Sequence, residues 1–151
     1  MRKWLFFTAL LTGALLLSAC AADSADCSNL PAGAKIKISA AWAWAAASGN
    51  TAAYMTISNC GPEAEQLLSV QSGSAVEAGL HNTTMSGDMS SMSAVKQIDI
   101  PAGKKVELKS GGYHVMLMQI KQEIKAGDPV DLTLVFSKAG AIKVTAPARA
   151  P

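Results

Sequence analysis

Two histidines and five methionines crowd one part of this 151-residue chain. The histidines are His81 and His114, and there are no others. Of the seven methionines, Met85, Met89, Met92, Met116 and Met118 follow His81 closely, while Met1 and Met55 lie apart. A methionine is ordinarily a flexible core filler. That suits Met55 and Met118, each inside an apolar run. It suits Met85, Met89 and Met92 poorly, because they sit in Thr83 to Ser93 (TTMSGDMSSMS), a stretch with little apolar company. Exposed thioethers are also open to oxidation. A lone histidine is more often structural than a ligand, so the signal lies in the clustering.

Donor chemistry narrows what such a cluster could hold. Thioether sulfur is soft and neutral, and imidazole is borderline. A mixed His/Met set suits Cu(I) and offers little to Zn(II), Mg(II) or Ca(II). Zinc would call for thiolates, carboxylates or more histidines, and the only acid close to the cluster is Asp88.

The elements that position these residues read as strands. Lys35-Ile36-Lys37-Ile38 alternates, and Ala52 to Asn59 (AAYMTISN) stops at Asn-Cys-Gly-Pro. Gln66–Val70, Val76–His81, Ile98–Ile100, Lys105–Lys109, Tyr113–Ile120, Val130–Phe136 and Ala141–Thr145 follow, with turn residues between them. Tyr113 to Ile120 is nearly all apolar and suits a covered strand. Thr83 to Ser93 reads as a loop. Eight or nine short strands and no helix pattern predict an all-β sandwich or barrel.

The N-terminus reads as a leader. Arg2 and Lys3 precede an apolar stretch from Trp4 to Leu17, and Leu17-Ser18-Ala19-Cys20 resembles the lipobox of bacterial lipoproteins. The alternative, an uncleaved anchor, has 16 residues from Trp4 to Ala19, where a spanning helix needs about 20. The expected organisation is a signal peptide over 1–19, a lipidated tether over 20–34 beginning at Cys20, a β-domain over 35–147 and a short tail over 148–151. Lipidation would hold the domain at a membrane surface outside the cytoplasm. Cys27 and Cys60 remain; in an exported chain they are most simply a disulfide, with two free thiols or a thiolate metal site as alternatives. Without residues 1–19 the 13 basic residues become 11, against 11 acidic ones. That neutrality argues against nucleic acid as a partner.

The spacing His81, ten residues, Met92, twenty-one residues, His114, one residue, Met116 resembles the H-x10-M-x21-H-x-M pattern of the periplasmic copper chaperone family of PCuAC type. Ala41-Trp42, Ala53-Tyr54-Met55, Asn59, Ile100-Pro101-Ala102-Gly103, Gly111-Gly112-Tyr113-His114-Val115-Met116-Leu117-Met118 and Leu132-Thr133-Leu134-Val135-Phe136 stand in matching places. The resemblance spans residues 35–147. It implies a cupredoxin-like Greek-key fold and one Cu(I) per chain held by His81, Met92, His114 and Met116. It also implies delivery toward cytochrome c oxidase, at the copper centre of subunit II, or to another copper-accepting assembly factor. Trp44 departs from the family, which often has Arg after Ala-Trp. The chain ends at Ala-Arg-Ala-Pro without the His/Met-rich tail of some members, so a second site built on such a tail is not expected. Strand alternation supports the ligand set, since His114 and Met116 share a face while Val115 and Leu117 share the other. Met118 follows on the ligand face as packing. Met85 and Met89 are possible secondary ligands or relay points, or are simply exposed.

Rival functions fare less well. A blue-copper electron carrier needs a Cys thiolate beside two histidines, and no Cys lies near either one. A hydrolase would need His81 or His114 as base, and no Gly-x-Ser-x-Gly elbow is present. A non-metal structural lipoprotein leaves the His/Met cluster unexplained. Copper buffering or resistance would use the same site as delivery.

Overall fold

The structure, a computed structural model, describes residues 24–87 and 89–151. The expected leader 1–19, the lipidation site Cys20 and Asp88 lie outside the described residues. Ten strands form among the described residues: β1 (Ile36–Trp44), β2 (Thr51–Asn59), β3 (Glu65–Ser72), β4 (Ala75–Ser86), β5 (Met89–Ala94), β6 (Ile98–Ile100), β7 (Lys105–Leu108), β8 (Tyr113–Ile120), β9 (Pro129–Phe136) and β10 (Gly140–Arg149). Their hydrogen-bonded order is β5-β4-β8-β2-β1-β10-β9-β3-β6, with β7 added to β2. All pairings are antiparallel except β1 with β10. Inward-facing residues of every strand except β5 meet in one core. Ala53, Met55, Ile57, Leu80, Val115 and Leu117 enter it from the β5-to-β1 half, and Leu67, Val130, Leu132, Leu134 and Phe136 from the other.

Two boundaries differ from the sequence reading. Thr83 to Ser93 is not a loop. β4 continues to Ser86, turns at Gly87 (φ 61°), and returns as β5. Every residue of β5 is exposed, so water on both faces imposes no apolar/polar alternation. The period-two signal that marks a half-buried strand was therefore missing. At the other end, β10 runs to Arg149, past the expected tail boundary, because Ala148 and Arg149 pair with Ala43 and Trp44.

One bulge sets the phase of β1. Ile36 and Ile38 face inward opposite Asn59 and Ile57; the register then slips between Ser39 and Trp42, where Ala40 takes φ 50°. The inserted residue inverts the alternation. Ala43 becomes the buried residue, and Trp42 and Trp44 move to the outer face.

Cys27 and Cys60 form the expected disulfide, with a Cα–Cα distance of 5.8 Å. The segment before β1 lies against the domain from Ser24 onward. Ser24 bridges to Lys104, Ala25 N–H donates to the Gly103 carbonyl at 3.1 Å, and Lys37 pairs with Asp26 at 2.6 Å. The Lys37 hydrogen bond, with help from Ser28, holds the Asp26 carboxyl well below its usual range.

Glu65 closes the β9–β10 turn. Its carboxylate accepts from the backbone N–H groups of Gln66, Lys138 and Ala139 and from the Ser137 hydroxyl. Burial alone would raise its pKa, but these donors outweigh it and pull the value from 4.5 down to about 2. Because folding lowers this pKa, the carboxylate stabilises the fold at all pH above the unfolded value. That contribution is lost as pH falls from 4.5 toward 2. Glu65→Gln is expected to destabilise the protein by about 2 kcal/mol at pH 7. Urea midpoints of the two proteins should converge as pH approaches 2. A gap that stays constant from pH 7 to pH 2.5 would contradict this role.

Candidate metal centre

The two histidines face each other across a strand pair. β4 and β8 place His81 directly opposite His114, and their ring centroids are 5.9 Å apart. Met116 lies two residues on from His114, opposite Gly79 of β4 and Ala52 of β2. Met92 sits opposite Thr83, two residues on from His81. Period-two alternation therefore puts His81, Met92, His114 and Met116 on one face. The intervening Leu80, Val115 and Leu117 are buried in the core, so the His/Met face is the outer face of this half of the sheet.

That face is not uniformly wet. His114 is only 3% exposed. Tyr54 flanks it at 6.4 Å between centroids, Trp42 packs on Tyr54 at 4.6 Å, and Trp44 meets Trp42 edge-on at 4.6 Å. Arg149 lies over the Trp42 ring at 4.8 Å. The departure at Trp44 thus adds an aromatic edge, while β10 supplies a guanidinium from the neighbouring strand.

Both rings keep a nitrogen free. Nδ1 of His114 lies 3.0 Å from the Gly112 carbonyl oxygen. A carbonyl only accepts, so Nδ1 carries the proton and Nε2 presents a lone pair. That Nε2 and the Nδ1 of His81 are buried without a hydrogen-bond partner. Such groups are rare in folded proteins, since leaving one unmet costs about 1–3 kcal/mol. Burial, then the neighbouring His114, push the His81 pKa below 6.5, with Glu77 opposing in part. The His81 ring is thereby favoured in its neutral, metal-binding form at pH 7.

Sequence reasoning missed the neighbours of these rings. Gly79 is one: a Cβ there would sit in ordinary van der Waals contact, 3.4 Å from His81 Nε2 and 3.7 Å from Met118 Cε. The ring of His81 lies over Gly79 with Met118 beside it. A Gly two residues before a strand histidine was the available signal, because the two share a face. The Gly112 carbonyl and the Tyr54 ring left no comparable trace.

The remaining candidates separate cleanly. His81 does not end a strand; it lies within β4. Met85 is on the site face, whereas Met89, opposite Ser86, is on the reverse face of the hairpin. Among the described residues no three His, Cys, Asp or Glu side chains gather as a metal cluster; Glu77, opposite Met118, shares this face with the imidazoles and thioethers. A cleft of about 410 Å³ near Asn59, Glu65 and Ile142 lies elsewhere. Its buried polar groups are already satisfied: Asn59 donates to the Glu63 and Ile100 carbonyls and accepts from Gly61.

The fold and the outward His/Met face define a cupredoxin-like β-domain of PCuAC type. Residues 36–148 match the family described as "Putative lipoprotein LpqE-like", and the chain belongs to that LpqE-like family. "Putative lipoprotein Lxx21020" of Leifsonia xyli subsp. xyli (strain CTCB07) is 34% identical over 115 residues, which are 76% of this chain and 69% of the relative. The copper-bound PCuAC domain from PmoF2 superposes with a TM-score of 0.68 at 28% identity, covering 78% of this chain and 95% of that one. Cu(I)-bound DR1885 from Deinococcus radiodurans gives 0.60 at 33% identity, covering 78% and 83%.

Proposed function

We propose that this protein is a copper chaperone, not an enzyme, and that its cargo is one Cu(I) ion held by His81, Met92, His114 and Met116. The observation that carries this reading is the pair of buried, unpartnered imidazole nitrogens on facing strands, on a face shared with two thioethers. An ion there would meet both unmet lone pairs. The four donors are neutral, so the site keeps the single charge of the ion, and it has no thiolate to hold the metal strongly. A recipient with thiolates can then take it. Thioethers favour Cu(I) over Cu(II) and Zn(II). The copper-bound relatives support the choice of metal.

The recipient we propose is the subunit II copper centre of cytochrome c oxidase, or an assembly factor that feeds it. The lipoprotein descriptions of the family and the relative support cleavage after residue 19 and a lipid on Cys20. The domain would then work outside the cytoplasm at a membrane surface. Intact mass of the membrane-extracted protein tests that anchor; an unmodified Cys20 would refute it.

X-ray absorption on the Cu(I)-loaded protein is expected to show mixed nitrogen and sulfur scattering at one copper per chain. A shell without sulfur would remove Met92 and Met116 from the site. Buffering of copper uses the same ligands. It is separated from delivery by oxidase copper content in cells lacking the protein at low copper: a normal content argues for buffering.

A further inference from the structure

Beyond Thr83 the β4–β5 hairpin is exposed and rich in methionine, and it adds no residue to the core. Its register places Thr83 opposite Met92, Met85 opposite Ser90 and Ser86 opposite Met89. Met85 and Met92 are therefore diagonal neighbours on the face that carries His81. Diagonal pairs lie about 7–8 Å apart, within reach of two long side chains converging on one ion. Exposure is graded along this face: Met85 is 64% exposed, Met92 53% and His114 3%. The sequence from Gly79 to Val95 holds no Lys or Arg, so no fixed cation opposes a positive ion arriving along it. Met89 is as exposed, at 75%, but points away from the histidines.

From this register and exposure gradient we propose that Met85 and Met92 form an outer Cu(I) position through which the ion enters and leaves the inner set. The inference rests on the Cu(I) reading above and adds a route to it. Met92 belongs to both positions. Inbound, Met85 and Met92 sulfurs bind the ion as it leaves its donor's ligand. His81, His114 and Met116 then bond to it, and the Met85 bond breaks. Copper stays Cu(I) throughout, and with both rings neutral no proton moves, since a thioether has none to lose. Outbound transfer reverses the order and presents the ion at the tip of an edge hairpin, where a recipient's ligands can reach it.

The test measures Cu(I) exchange with a chromophoric chelator, bathocuproine disulfonate, for the unsubstituted protein, Met85→Leu and Met89→Leu. Met85→Leu is expected to slow exchange on the order of tenfold. Equilibrium affinity should stay within about threefold, as for a surface substitution. Met89→Leu is expected to exchange at the original rate. In a second measurement, ¹³C-labelled methionine methyls are followed past one equivalent of Cu(I). Met85 and Met92 should shift, and Met89 should not. Unchanged exchange in Met85→Leu, or equal slowing in Met89→Leu, overturns the route while leaving the inner site standing. Failure of the unsubstituted protein to bind Cu(I) overturns both.

Discussion

His114→Ala is expected to lower Cu(I) affinity by more than about 100-fold, beyond the 10–100-fold typical of losing an outer-shell partner of a metal site. The apoprotein should lose little stability. Removing the ring forfeits packing against Tyr54, but it also removes a buried nitrogen with no partner, worth about 1–3 kcal/mol of penalty. The two effects oppose each other. Leu117→Ala makes the contrast. It lies three positions along the same strand, faces the core and is fully buried. It should cost about 2–5 kcal/mol of stability while leaving all four proposed donors in place. Competition titration and urea unfolding on both variants read the two quantities separately. A His114→Ala protein that keeps its affinity, or that unfolds as readily as Leu117→Ala, would show His114 to be a packing residue.

Breaking the disulfide should produce a large stability change that leaves the metal face untouched. Cys27 and Cys60 are 33 positions apart, and a loop of that size contributes about 3–4 kcal/mol by restricting the unfolded chain. Cys60 follows Asn59 at one end of β2, whereas His114 sits beside Tyr54 and Met116 beside Ala52. The double substitution Cys27→Ala/Cys60→Ala should therefore shift the urea midpoint strongly and leave Cu(I) affinity unchanged. An unmoved midpoint would mean that the Lys37–Asp26 pair and the Ala25–Gly103 bond hold the segment without the covalent link.

Much of the architecture was legible because most strands are half-buried. Ile36 and Ile38, Lys105 to Leu108, and Val130 to Phe136 alternate where one face meets the core, and burial writes that alternation into the sequence. β5 could not be read this way, since no residue of it is buried. The second half of β1 was obscured by the bulge at Ala40, which breaks the alternation midway. At the site, the four proposed donors stand out in the sequence as a spaced set of rare residues. The geometry that sorts Met85 from Met89 was not, because it depends on the hairpin register. Nor was the orientation of the His114 ring, which is held by a backbone oxygen at Gly112.

The Gly112 oxygen also fixes the proton economy of the site. With Nδ1–H committed to that carbonyl, Nε2 is the His114 nitrogen left to bind an ion. His81 is biased to neutrality by burial, and the thioethers never carry a proton. Thiolate sites must shed protons as they load, so their grip tightens or loosens with the acidity of the surroundings. A site of this composition loads and unloads without exchanging protons with the solvent whenever both rings are neutral. Its occupancy then follows the supply of the soft ion, independent of alkalinity.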